Sequence, residues 1–75
     1  MSGAVIKRSV MIAGHSTSIS LEEPFWTALR DIARTRDLSL AALIAEIDTA
    51  RGDSNLSSAI RMAVLAHYRD QASPR

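Results

Sequence analysis

Ser16, Ser18 and Ser20 occupy every second position of the run STSISLE, and their hydroxyls are the side chains best placed to act in concert. Alternate residues of an extended chain share a face. The three therefore form a row of groups that each donate and accept a hydrogen bond. Such a row suits recognition of a polar surface. It does not suit nucleophilic catalysis, because no histidine and acid stand near it in sequence to activate an oxygen. Lys7, Arg8 and His15 lie close by with no acidic residue before Glu22, which predicts a local basic patch in a chain whose formal net charge is only +1. Glu22 and Glu23 read as charges at a helix start and not as an acid/base pair, since sequence neighbours face different ways. His67 reads as a packed, hydrogen-bonded histidine. With His15 the only other imidazole and no cysteine in the chain, neither a metal nor a cofactor is expected, and the chain reads as a non-enzyme.

The elements that must position these groups follow from the apolar spacing. Thr17, Ile19 and Leu21 take the other face of the serine run, which predicts a strand with one buried and one exposed side. The period then changes. Phe25, Leu29, Ile32 and Ala33 line one face of a helix from about Glu23 to Arg36, with Pro24 in its first turn, a capping box of Ser20 with Glu23, and cations at its end. Trp26 beside Phe25 reads as core or interface. After the polar break Thr35-Arg36-Asp37, Ser39 caps a second helix whose stripe is Leu40, Leu43, Ile44 and Ile47 and which stops near Arg51-Gly52. Gly52-Asp53-Ser54-Asn55 is a turn by composition. A third helix then buries Leu56, Ile60, Ala63, Val64 and His67. The fold class is mainly α with a short β-ribbon, its domain covering residues 14–71 and followed by a frayed tail at 72–75.

Residues 1–13 form either an extra strand or a flexible arm that orders on binding. Val5, Ile6, Val10, Met11 and Ile12 favour a strand, and Ala13-Gly14-His15-Ser16 would then turn the chain back into a hairpin within one molecule. Lys7-Arg8 interrupts any apolar core a targeting segment would need, and no stretch approaches membrane-spanning length, so a cytoplasmic location is expected. A chain of this size buries only about 60% of its unfolded surface and has no disulfide to help. A second copy is the remaining staple. It would also pair the edge of the serine strand and bury Ile19, Leu21, Phe25, Trp26, Leu29, Leu43 and Ile47 in a homodimer core.

Thr17-Ser18-Ile19-Ser20-Leu21, Phe25-Trp26, Leu29 and Leu38-Ser39-Leu40, in this order and spacing, resemble the ribbon-helix-helix family of bacterial transcriptional repressors over roughly residues 16–51. The longer string KRSVMIAGHSTSISLE is similar to one compact bacterial subgroup of it. The resemblance implies a homodimer, here with an additional C-terminal helix, whose paired ribbons enter the major groove of double-stranded DNA. Ser16, Ser18 and Ser20 would then meet base edges, Lys7 and Arg8 would supply the basic patch, and the backbone N–H groups at Ser39 and Leu40 would face a phosphate. The protein would act as a transcriptional regulator at the nucleoid. Family ribbons commonly carry Arg, Lys, Asn or Gln at reading positions, so three serines imply weaker discrimination between bases. Leu56-Ser57-Ser58-Ala59-Ile60 repeats the opening of Leu38-Ser39-Leu40-Ala41, and either helix fits the family's second; the shorter connection favours the one at Leu38. The third helix would then brace the dimer or face a protein partner. The all-serine ribbon and balanced charge leave a dimeric protein-interaction module, or an antitoxin, as the alternative.

Overall fold

Two apolar runs of period two, joined by a pair of residues at positive φ, make the first part of the molecule a hairpin. The computed structural model describes residues 4–72. In it β1 (Val5–Ile12) runs antiparallel to β2 (His15–Glu22), with Ile12 opposite His15 and Val5 opposite Glu22 at the two ends of the register. Ala13 (φ +50°) and Gly14 (φ +89°) connect them. Positive φ at both positions is type I′ geometry, whose twist matches that of the flanking strands. No heavy atom lies within 4 Å of where a Cβ on Gly14 would sit, so backbone conformation alone selects glycine there. Of the two readings of the N-terminal segment, the structure takes the strand, and the hairpin closes within one chain.

Helix α1 (Glu23–Thr35) follows β2 directly, with Pro24 in its first turn. Its N-cap is Glu22, which makes no side-chain cap hydrogen bond. The expected capping box of Ser20 with Glu23 does not form, because Ser20 is still held in the ladder opposite Lys7. The helix ends in a Schellman turn: Leu38 N–H donates to the Ala33 carbonyl (2.8 Å) and Asp37 N–H to that of Arg34 (3.1 Å), with Asp37 at φ +60°. This turn sends Leu38 back onto the core and starts α2 (Leu40–Ala50), where Ser39 Oγ accepts from Ala42 N–H at 3.0 Å. Arg36 joins the two helices through a forked pair with Glu46 (2.5 and 3.0 Å). After Gly52 (φ +63°), Asn55 Oδ1 accepts from Ser58 N–H (2.9 Å) and opens α3 (Leu56–Ala72). Ala72, expected in the tail, completes α3; residues 73–75 of that tail and residues 1–3 lie outside the described residues.

The three helices cover one face of the hairpin. Ile12, Ile19 and Leu21 from the strands meet Trp26, Leu29, Ile32 and Ala33 of α1, Leu43 and Ile44 of α2, and Ile60 and Val64 of α3, all buried. Trp26 is fully buried, and its indole N–H donates to the Ile6 carbonyl at 3.0 Å, tying β1 to α1. The seven residues expected in a homodimer core all pack into the core of the single chain. Ile19, Leu21, Trp26, Leu29 and Leu43 are buried in the single chain, and Phe25 and Ile47 pack half-buried against the same core. The reason is topological: β1 supplies the second strand and α3 the third helix, so the apolar face of β2 is covered without a partner. Among the described residues no helix is long and apolar enough to cross a membrane.

Candidate nucleic-acid interface

Side chains directly opposite in an antiparallel ladder share a face. The register therefore fixes what the uncovered side of the hairpin presents: Val5 with Glu22, Lys7 with Ser20, Ser9 with Ser18, and Met11 with Ser16. Lys7, Ser9, Met11, Ser16 and Ser18 are exposed and Ser20 is half-buried. The covered side pairs Ile6 with Leu21, Arg8 with Ile19, Val10 with Thr17 and Ile12 with His15. Ser16, Ser18, Ser20 and Lys7 are thus brought together on one face, as four hydroxyls and one ammonium once Ser9 is counted. Ser9 was not among the expected site residues. The two-residue turn at Ala13-Gly14 fixes the register that places it, and counting outward from that turn finds it.

Arg8 does not join this face. Period two sends it to the opposite side from Lys7, where its guanidinium lies 5.4 Å from the Trp26 ring centroid and 4.0 Å from the Glu23 carboxylate. It serves the joint between hairpin and α1. His15 sits exposed at the hairpin end. Ser39 and Leu40 open α2, which packs on the helical side of the sheet, away from the serine row. Ser39 Oγ already satisfies Ala42 N–H, which leaves the N–H groups of Leu40 and Ala41 without an intrahelical acceptor at a helix N-terminus, the geometry that suits an anion.

The charge on the surface is largely internally balanced. Arg8, Arg34, Arg36, Arg51 and Arg61 pair with Glu23, Asp31, Glu46, Asp48 and Glu22 respectively. Among the described residues Lys7, Arg30 and Arg69 are in no ion pair, and Lys7 is the one of these on the serine face. At the far end of that face, Arg61 Nε donates to Glu22 Oε1 at 2.9 Å and holds the carboxyl below the usual carboxylate range. Arg36 does the same to Glu46 and is itself raised by the pair.

The helical side carries two grooves. One of about 180 Å³ has Leu43, Ile47 and Val64 in its wall and Arg36, Glu46 and His67 at its rim, which is below the usual range for an organic ligand. The other, a more open groove of about 490 Å³ between α2 and α3, is lined mainly by Ala50, Ala59, Ala63 and Ala66 with Ile47 and Met62. His67 is half-buried, with Nε2 3.3 Å from the Gln71 amide nitrogen and its ring edge-on to Tyr68. Among the described residues no group of three or more metal-ligating side chains is assembled.

A family model described as a ribbon-helix-helix domain matches residues 5–68, from the first residue of β1 into the last turns of α3. No curated protein and no solved structure matches the chain.

Proposed function

Because the chain belongs to the ribbon-helix-helix domain family, we propose that it is a DNA-binding transcriptional regulator that reads the major groove with the uncovered face of its hairpin. The observation that carries this reading is the register that gathers Lys7, Ser9, Ser16, Ser18 and Ser20 on one exposed side of a two-stranded ribbon. A ribbon of that width fits the major groove. Serine hydroxyls meet base-edge donors and acceptors of either sense, and Met11 offers an apolar contact for a thymine methyl. Lys7 supplies the phosphate attraction, and the N–H groups of Leu40 and Ala41 behind the Ser39 cap take a second phosphate. Two chains act as a homodimer on a two-fold operator, in the cytoplasm at the nucleoid, without cofactor or catalysis. The ribbon differs from the one implied by resemblance, since both its strands come from one chain.

One unpaired ribbon cation per chain makes the electrostatic contribution small. The plot of log affinity against log salt should be shallow, with a slope of about −2 for a dimer. Fluorescence anisotropy on genomic and random duplexes across a salt series tests this. Lys7→Ala should flatten the slope and Ser18→Ala should weaken binding roughly tenfold, while Arg8→Ala, which alters the covered face, should leave the slope unchanged. A slope that responds to Arg8 and not to Lys7 would place the contact elsewhere. Absence of binding at low salt from a folded protein would favour the second reading, a dimeric protein-interaction module or antitoxin. The observation behind that alternative is the exposed apolar surface of α3, at Met62, Leu65 and Tyr68.

A further inference from the structure

Lysine and arginine carry the same charge, but an activated acyl group removes it only from lysine. A guanidinium stays protonated and is no acyl acceptor in neutral water, whereas the lysine amine becomes a neutral amide. Of the nine basic side chains in the sequence, Lys7 is the one lysine and the other eight are arginines. Acylation can therefore discharge a single basic side chain in this protein, and the fold puts that side chain on the ribbon. Lys7 is exposed, stands opposite Ser20, and has the pair Ser9 and Ser18 next along the same face. The one carboxylate on that face, Glu22, is held by Arg61 Nε at 2.9 Å. Lys7 is in no ion pair among the described residues, so no carboxylate competes for its amine.

We infer that Lys7 is an acyl-acceptor site, and that transfer of an acetyl group to it from an acetyl phosphate or an acetyl thioester switches the ribbon face from cationic to neutral. The inference rests on the DNA reading proposed above and supplies its regulation. In the transfer, Lys7 Nζ first gives up a proton to water and attacks the acyl carbonyl carbon with the freed pair. The C–N bond forms as the bond from that carbon to the phosphate oxygen or the thiol sulfur breaks. The leaving group departs with that bond's electrons, and the second amine proton passes to it or to solvent. Opposed residues of a ladder have Cβ atoms about 4.5–5.5 Å apart, so the Ser20 hydroxyl is within reach to donate to the carbonyl oxygen as negative charge builds there. The product is an amide with one N–H donor in place of an ammonium with three. It leaves Glu22, balanced by Arg61, as the only ionised side chain of the ribbon face. The attraction for phosphate that the DNA reading assigns to this face is then gone, while every arginine pair that ties the fold together is untouched.

The test treats the full chain with acetyl phosphate and, in a parallel arm, with an acetyl thioester. Fragment-ion mass spectrometry then locates the acetyl group and tells Lys7 from any α-amine. Lys7 should be acetylated in the folded protein in at least one arm, and the arm that succeeds identifies the donor. The modified protein should keep the urea midpoint of untreated protein, because this face lies outside the core. Its DNA affinity at low salt should fall several-fold, and the slope of log affinity against log salt should move from about −2 toward zero. Lys7→Gln, neutral without treatment, should show the same flattened slope. Lys7→Arg is the control: whatever its own affinity, treatment with either donor should leave that affinity unchanged. Protein fully acetylated at Lys7 that binds DNA with an unaltered slope would overturn the inference and leave the DNA reading standing. So would a folded chain that takes no acetyl group at Lys7 from either donor. Untreated protein that binds no duplex even at low salt would overturn the DNA reading, and this inference with it.

Discussion

The two faces of the hairpin are built from the same sixteen residues in the same register, yet they face opposite demands. On the covered side the pair Ile6 and Leu21, with Ile19 next along, is pressed under three helices and tied by the Trp26 hydrogen bond. On the uncovered side are four serines, one lysine and one methionine that the core does not use, with Val5 and Glu22 at its far end. A strand makes this separation possible because its side chains alternate, so adjacent positions can answer to stability and to recognition independently. The contrast teaches that the serine row is not needed to hold the fold. Its composition is free to suit whatever it touches.

The largest effect should come from putting the same charge on each face in turn. Ile19 is 1% exposed and Ser18 next to it is exposed. Ile19→Lys forces an ammonium into the apolar core with no carboxylate beside it and should cost several kcal/mol, enough to unfold so small a domain. Ser18→Lys adds the same group to solvent and should leave urea stability within about 0.5 kcal/mol while steepening any salt-dependent DNA binding. Equal stability losses in the two variants would show that the faces are not separable.

The second effect sharpens how the covered face is held. Trp26→Phe removes the indole donor to the Ile6 carbonyl and part of a fully buried ring, for an expected loss of about 2–3 kcal/mol. Because that bond reaches from α1 to β1, amide exchange in Val5–Ile12 should accelerate more than exchange in α2. Uniform acceleration would mean that the indole packs the core as a whole and does not anchor the strand.

The same contrast marks how far the sequence could be read. The serine strand, all three helices and the Ser39 cap were legible because each has a local signal: a period, a cap residue, a break. What Val5–Ile12 does was not, since an interrupted apolar run fits a strand or an arm equally well and pairing is a non-local event. That one ambiguity propagated. With β1 unassigned, β2 has no second strand in its own chain, so the covering of its apolar face is expected from a second copy, whereas β1 and α3 cover it within one chain. It also hid the division of Lys7 from Arg8, which adjacency makes look like a patch and strand alternation sends to opposite sides. Ser9 was missed for the same reason. The capping box failed differently: Ser20 and Glu23 have the right spacing, but the ladder holds Ser20 extended to the end of β2, and tertiary pairing overrides a local motif.

The smallest effect belongs to the seam where the two faces end. Glu22 is the last residue of β2 and the N-cap of α1, and Arg61 reaches across from α3 to hold its carboxyl below the ordinary value of 4.5. A folded-state value lower than the unfolded one adds stability that is fully present above the unfolded value. It is lost as pH falls through the folded one. The pair should therefore contribute a constant amount from neutral pH down to about pH 5 and fade below the 4.5 reference. Glu46, lowered by Arg36, fades in the same window, so wild-type acid sensitivity alone cannot assign it. Arg61→Met makes the assignment: its urea midpoint should lie slightly below wild type at pH 7, and the gap should close as pH drops below 4. Solvent reaches both partners, so salt should narrow that gap as well. A gap constant from pH 7 to pH 3 would attribute the loss to the aliphatic stem of Arg61 packing over Phe25, whose ring centroid lies 5.8 Å from the guanidinium.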